Sequence, residues 1–281
     1  MSTNELTIKN SSVKLNNGVK LPRVGLGVFQ VEAGKQTEQV VHWGLEAGYR
    51  HIDTAKAYGN EESVGRAVRD SGLPREQIFI TTKLWNADTR AGKAREACEN
   101  SLRHLGTDYI DLYLIHWPTE GYERAWDEMQ KLYHEQKIRA IGVSNFNIHH
   151  LETLAKSGAL TPAANQIECH PLHNQTELRQ YCADNNIAVE AWSPLGGTGG
   201  NLLQNEDINK LAANYGKSPA QIVLRWDLQS NMITLPKSVS QARIAANIDL
   251  FDFELSTDDM DFINSLNQNK RVGPDPDNFN F

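Results

Sequence analysis

Four side chains in the first half of the 281-residue chain are of the types that together can hand a proton to an oxygen atom. Asp53, Lys83 and His116 each follow directly on a short apolar run (YRHI, IFITT and DLYLI). Tyr58 lies five residues beyond Asp53, just ahead of the helix-start pattern Asn60-Glu61-Glu62. A free tyrosine, with a pKa of about 10, is a poor acid at neutral pH, but a lysine cation beside it stabilises the phenolate and lowers that value. Lys83 would supply the cation. A buried ammonium is costly without a compensating anion, and Asp53 is the natural partner. His116 would orient or polarise a carbonyl oxygen. Singly, each reads as readily as structure, because strand-end Asp–Lys bridges hold folds together and a lone His usually packs. Their joint occurrence is what favours chemistry.

These residues need a frame to bring them together. After Pro22, apolar runs of four to seven residues alternate with helical patterns of ten or more, the rhythm of repeated βα units. The spacing predicts strands over 23–28, 49–53, 78–83, 109–115, 139–143, 163–167, 187–192 and 232–236. Between them lie helical segments such as 88–104, where Ala94, Ala97, Ser101, Leu102 and Leu105 recur at three- and four-residue spacing. Ahead of the repeats, residues 6–9 and 12–15 alternate around polar positions and Asn17-Gly18 signals a tight turn, so the chain should open with a hairpin. Extra helices are expected near 205–214 and over 257–267, the latter opened by Ser256 with Asp259 three residues on. With no linker-like run, residues 1–281 read as one domain: an α/β fold of the (β/α)8 TIM-barrel type with an N-terminal β-hairpin and two extra helices.

A doubly wound open sheet is the rival architecture. Gly25-Leu26-Gly27 begins like a dinucleotide fingerprint, but the third glycine would stand at position 30, which is Gln. The bland reading, a place where backbone passes close to a neighbour, is at least as good. In a barrel the active site forms at the carboxyl ends of the strands. That rule adds Ser144 and Asn145 after AIGV, Gln166 after PAAN, Ser193 after VEAW and Lys237 after ITLP.

A formal net charge of -7 argues against a broad nucleic-acid surface, which needs clustered Lys and Arg. No apolar run approaches a membrane span, and Met1 to Asn10 has neither the basic start nor the apolar stretch of a signal peptide. Cys98, Cys169 and Cys182 are odd in number and at no metal spacing, which suits a reducing compartment. A cytoplasmic monomer is the expectation. His149 and His150 are adjacent, and a proline interrupts His170 and His173, so no metal site is expected.

Seven ordered stretches resemble the aldo-keto reductases: HIDTAKAYGNE (51–61), TTKLWN (81–86), LYLIHWP (112–118), IGVSNF (141–146), NQIECHP (165–171), AWSPL (191–195) and LPKSVSQARIAAN (235–247). They span most of the chain and are most similar to the bacterial branch that includes 2,5-diketo-gluconate, glyoxal and methylglyoxal reductases. The resemblance implies that Asp53, Tyr58, Lys83 and His116 form a catalytic tetrad, with Tyr58 as general acid in reduction and general base in oxidation. It implies a nicotinamide cofactor held at the barrel mouth without a Rossmann domain. Ser144, Asn145 and Gln166 would bind the carboxamide and Trp192 would stack on the ring, where many relatives have Tyr.

Lys237, Ser238 and Arg243 would cradle the 2'-phosphate, a cation pair and hydroxyl suited to a dianion, so NADPH is expected and NADH more weakly. Asn247 would meet the adenine, while Ala246 stands where many relatives have Glu, which loosens that preference. Gly27, Val28, Phe29, Asp53, Ser193, Leu195 and Val239 complete the expected cofactor contacts. Val28, Phe29, Trp85 and Trp117, with Tyr58 and His116, would wall the substrate pocket, and in relatives the ending 271–281 helps close it.

The reaction implied is reversible NADPH-dependent reduction of aldehydes, ketones or 2-oxo compounds. Two other classes remain open at this point. In a carbon-carbon lyase barrel Lys83 would be a Schiff-base nucleophile; in a nucleotide-binding regulator the same site would not turn over.

Overall fold

The structure, a computed structural model, describes residues 11–197, 199 and 201–281. It opens on a two-stranded antiparallel hairpin, β1 (Ser12–Lys14) and β2 (Lys20–Pro22), with Ser12 opposite Pro22. The turn falls at Asn17-Gly18, where Gly18 has φ 89°, a left-handed value that glycine adopts without strain. The expected early strand at 6–9 lies outside the described residues. Eight parallel strands follow: β3 (Leu26–Gly27), β4 (His51–Asp53), β5 (Phe79–Leu84), β6 (Ile110–Ile115), β7 (Ile138–Ser144), β8 (Ala164–Glu168), β9 (Ala188–Trp192) and β10 (Ile233–Thr234). They pair in chain order from β3 to β10. A parallel bridge between Val24 and Thr234, with Gly25 N–H donating to Thr234 O at 2.9 Å, joins the two ends into a barrel. The doubly wound alternative is thereby excluded.

Each of the eight predicted barrel strands is present, and the first and last are shorter than their apolar runs. At β3 the run 23–28 is interrupted at Gly25, where an added Cβ would lie 2.5 Å from Leu235 and 2.6 Å from His51 Nδ1. The GLG stretch is therefore a place of close backbone approach.

The helices are α1 (Lys35–Ala47), α2 (Glu61–Asp70), α3 (Asn86–Ala91), α4 (Ala94–Leu105), α5 (Tyr122–His134), α6 (Ile148–Lys156), α7 (Thr176–Asp184), α8 (Glu206–Tyr215), α9 (Pro219–Gln229), α10 (Gln241–Ile248) and α11 (Thr257–Ser265). The expected helix over 88–104 is two helices, broken where Gly92 takes φ 68° and caps α3. So α3 is a third extra helix beside the two predicted, α8 and α11. Ser256 caps α11 as expected, its Oγ accepting from Asp259 N–H.

Two cores separate the layers. One lies between strands and helices, with Trp126, Trp226 and Tyr49 among its largest wholly buried members. The other fills the barrel and joins Phe79, Leu112, Leu114 and Ile233 to Leu15 and Leu21 of the hairpin segment, so the hairpin plugs one end. The opposite end, where strands β4 to β9 finish, is left to polar side chains. The three cysteines are buried and unpaired, and among the described residues no helix is long and apolar enough to cross a membrane.

Candidate active site

Strand ends place the chemistry. Asp53 closes β4, Lys83 is the fifth residue of β5 and His116 follows β6. Tyr58 ends a 3-10 turn (Lys56–Tyr58) that Gly59 terminates at φ 68°. Asn60 braces this turn: its Oδ1 accepts from Thr54 Oγ1 at 2.7 Å, and its Nδ2 donates to Val28 O at 3.0 Å and Val31 O at 3.2 Å.

The Lys83 ammonium has three donors and meets three acceptors: Asp53 Oδ1 at 2.7 Å, Thr54 O at 2.9 Å and Tyr58 Oη at 3.3 Å. Its side chain is fully enclosed. Burial pulls its pKa down, but Asp53 and Tyr58 overcome that and hold it above the usual lysine value. The Tyr58 hydroxyl accepts from Lys83, which leaves its own proton to be donated elsewhere. The direction of its pKa differs from the sequence expectation. Lys83 lowers it as expected, but burial is the larger effect and the net shift is upward. His116 is held neutral: burial and the Lys83 charge push its pKa well below the ordinary histidine value. A neutral imidazole carries one N–H and can donate it to a carbonyl oxygen.

The next strands supply amides. Ser144 Oγ donates to Gln166 O at 2.9 Å, and Asn145 Nδ2 donates to His116 O at 2.9 Å and Ser144 Oγ at 3.1 Å. Asn145 sits at φ 64°, a conformation Asn tolerates better than other non-glycine residues. Trp192 Nε1 donates to Asn145 Oδ1 at 2.8 Å. Gln166 Nε2 donates to Asp53 Oδ2 at 2.8 Å and to Glu190 Oε2 at 3.3 Å, so both its N–H donors are engaged and its oxygen is the side left for a ligand.

Lys237 and Arg243 are exposed, Ser238 and Asn247 are buried, and Val239 is exposed. Among the described residues neither Lys237 nor Arg243 makes an ion pair. Both stand about the start of α10, where helix N–H groups also favour an anion. Ser193 (φ 49°) and Leu195 are half-buried beyond β9. Gly27 is buried, 3.3 Å from Leu235 O by its would-be Cβ. Val28 is wholly enclosed in the outer core, so its side chain does not wall a pocket, while Phe29 is 54% exposed.

The aromatic wall is larger than the sequence reading had it. Phe29 and Trp85 lie 5.0 Å from Tyr58 and 5.3 Å from His116, ring centre to ring centre. Phe281 stacks on Trp85 at 6.0 Å and meets Trp117 edge-on at 5.3 Å, and Phe279 packs on Trp117 at 5.1 Å. The segment carrying them is tied down at several points. Glu168 accepts from Val272 and Gly273 N–H, Asn147 Nδ2 donates to Asp277 Oδ2 at 2.8 Å, and Asn86 Nδ2 donates to Phe281 O at 3.1 Å. The resemblance had the ending 271–281 helping to close the pocket without singling out residues, and Phe279 and Phe281 are the two that reach the wall.

Glu190 was missed. It precedes Trp192 by two residues on β9 and so shares its face of the strand, a carboxylate in an otherwise apolar run.

His149, His150 and Asp277 bring ligand atoms within 4.8 Å of one another. His150 Nδ1 accepts from Asn147 N–H at 3.1 Å, so the neutral ring keeps its proton on Nε2, the atom 3.7 Å from Asp277. A metal there would drive that proton onto Nδ1, against another donor. A groove of about 1110 Å³ near the hairpin, lined in part by Arg23, Arg179 and Met232, contains none of the tetrad, and main-chain oxygens already occupy both guanidinium groups.

Residues 23–268 match the aldo/keto reductase family. Glyoxal reductase of Bacillus subtilis (strain 168) is 50% identical, covering 98% of this chain and 99% of its own. Methylglyoxal reductase DkgA of Escherichia coli (strain K12) is 47% identical over 95% and 97%. The crystal structure of MGS-M4, an aldo-keto reductase from a Medee basin deep-sea metagenome library, superposes with TM-score 0.93 at 46% identity, covering 96% of this chain and 100% of that one. An aldo-keto reductase of Bombyx mori solved in complex with NADP does so with TM-score 0.89 at 38% identity, over 96% and 97%.

Proposed function

Because the chain belongs to the aldo/keto reductase family and is an oxidoreductase, we propose that it reduces small aldehydes, ketones or 2-oxo compounds to alcohols with NADPH, Tyr58 protonating the oxygen. The observation that carries this reading is the saturation of Lys83: its three donors are spent on Asp53, Thr54 and Tyr58, which leaves the Tyr58 proton as the movable one. The same observation disfavours a Schiff-base lysine, which needs a neutral amine with a lone pair to spare. The chain's similarity to a glyoxal reductase and a methylglyoxal reductase favours small dicarbonyls as substrates.

When bound, the nicotinamide supplies the hydride. The residues present suit such a group. Gln166 offers an amide oxygen with both its donors already engaged, Trp192 offers a half-buried flat face, and Lys237 and Arg243 are cations at one helix start with no ion-pair partner among the described residues. His116 donates its N–H to the carbonyl oxygen and orients it. Tyr58 gives its proton to that oxygen as negative charge develops, and Lys83, held by Asp53, stabilises the phenolate left behind. Trp85, Trp117, Phe29, Phe279 and Phe281 exclude water, which strengthens each of these interactions. The protein would work in the cytoplasm as a monomer. The test is NADPH oxidation with a panel of glyoxal, methylglyoxal, simple aldehydes and a ketone, repeated with NADH. Turnover with NADPH supports the reading, and binding of NADPH without turnover of any carbonyl contradicts it.

A further inference from the structure

The barrel interior beside the tetrad holds a carboxyl group that the mechanism above leaves unused. Glu190 is fully buried on β9, its Oε2 is 3.3 Å from Gln166 Nε2, and its Oε1 has no hydrogen-bond partner. The groups facing it come from four strands. Its register partner on β8 is Gln166 and on β10 is the uncharged Ile233. From β4 come Asp53, which shares the Gln166 amide with it, and His51, whose Nε2 is 3.9 Å from Oε1. From β5 comes the charge of Lys83, with Thr81 bonded to His51 at 2.9 Å.

Although His51 and Glu190 are close enough for an ion pair, burial favours the uncharged form of each. Burial dominates each. It lowers His51 to about 4, with Asp53 opposing and Lys83 assisting. It raises Glu190 to about 8, with Asp53 assisting and Lys83 and Gln166 opposing. Two carboxylates gripping one amide beside a single ammonium cannot both be charged cheaply. The one with the direct 2.7 Å bond to Lys83 keeps the charge.

We propose that Glu190 is a positioning residue of the reductase site: it grips the Gln166 amide together with Asp53, and by carrying no charge of its own it leaves Lys83 to serve Asp53 and Tyr58 alone. A second anion beside Lys83 acts against reduction in two ways. It opposes the phenolate that must form on Tyr58 when its proton leaves. It also tightens its own hold on one Gln166 N–H and shifts that amide away from Asp53, which holds the other. Reduction therefore slows as Glu190 ionises, well before Tyr58 itself does.

The proposal rests on the reductase reading, and two measurements separate the two. The first is the pH dependence of kcat for carbonyl reduction by wild type and by Glu190→Gln, which keeps the shape and removes the charge. Wild type should fall about tenfold or more on an alkaline limb centred near 8. Glu190→Gln should stay within about twofold of wild type at neutral pH and hold its rate through that limb. The second, independent of turnover, is infrared difference spectroscopy of the two proteins. A protonated-carboxyl band should appear in the wild-type minus Glu190→Gln difference at neutral pH, over and above that of the likewise buried Asp227, and disappear as pH rises through the same limb.

No such band, an unchanged limb in Glu190→Gln, or a folded Glu190→Gln that has lost tenfold or more at neutral pH each overturns the proposal. If wild type reduces no carbonyl while the band is present, the reductase reading fails and the positioning role falls with it.

Discussion

Replacing Asp53 with Asn removes the anion from a wholly buried Lys83 and leaves the shape of the site nearly unchanged. Across the 2.7 Å contact, an effective dielectric constant of about 20 gives an attraction of about 6 kcal/mol. Desolvating each ion costs several kcal/mol, so the intact pair contributes little net stability. Breaking it is different, because Thr54 O and Tyr58 Oη then face an uncompensated cation. The expected loss is about 3–5 kcal/mol in urea unfolding at neutral pH. The pH dependence changes sign as well. In wild type the Lys83 pKa is raised, so its contribution is present below the unfolded value and is lost as pH rises through the folded one. In Asp53→Asn burial acts unopposed by Asp53, the folded pKa falls below the unfolded one, and stability climbs with pH up to the unfolded value. Lys83→Met in the Asp53→Asn background should recover part of the loss. A loss below about 1 kcal/mol, or a double variant as unstable as the sum of the two singles, would refute the reasoning, since partners in direct contact must be coupled.

At Gly65 an added Cβ would lie 2.2 Å from Leu105 O, so Gly65→Ala must push α2 from α4. It should cost about 1–3 kcal/mol or more, read as a lower Tm, with activity per folded molecule retained. Exposed Lys237 and Arg243 should each contribute about 1.5–3 kcal/mol toward a 2'-phosphate. Lys237→Met and Arg243→Met should thus weaken NADPH binding about tenfold or more and leave NADH binding unchanged, as read by quenching of tryptophan fluorescence. Equal weakening of both cofactors would remove the phosphate role.

The strand positions were legible because each βα repeat carries its own apolar run and the tetrad residues sit where those runs end. The helix break at Gly92 was not, since α3 and α4 form one continuous pattern until a left-handed glycine ends the first. Lys83's electrostatic effect on Tyr58 could be read from residue types; the opposing effect of burial could not, because it depends on the fold bringing Phe29 and His116 against the ring. Phe279 and Phe281 reach the site from some 160 residues beyond Trp117, and no local pattern ties them to it. Glu190 shares the face of Trp192, but only closure of the barrel brings it to the Gln166 amide held by Asp53.

The most direct test of the account is carbonyl reduction by Tyr58→Phe, measured beside NADPH binding by the same protein. If Tyr58 is the proton donor, turnover falls by about 10²–10⁴-fold while NADPH binds within a few-fold of wild type. If Tyr58→Phe turns over as fast as wild type, the proton comes from elsewhere and the assignment of Lys83 as its support falls with it.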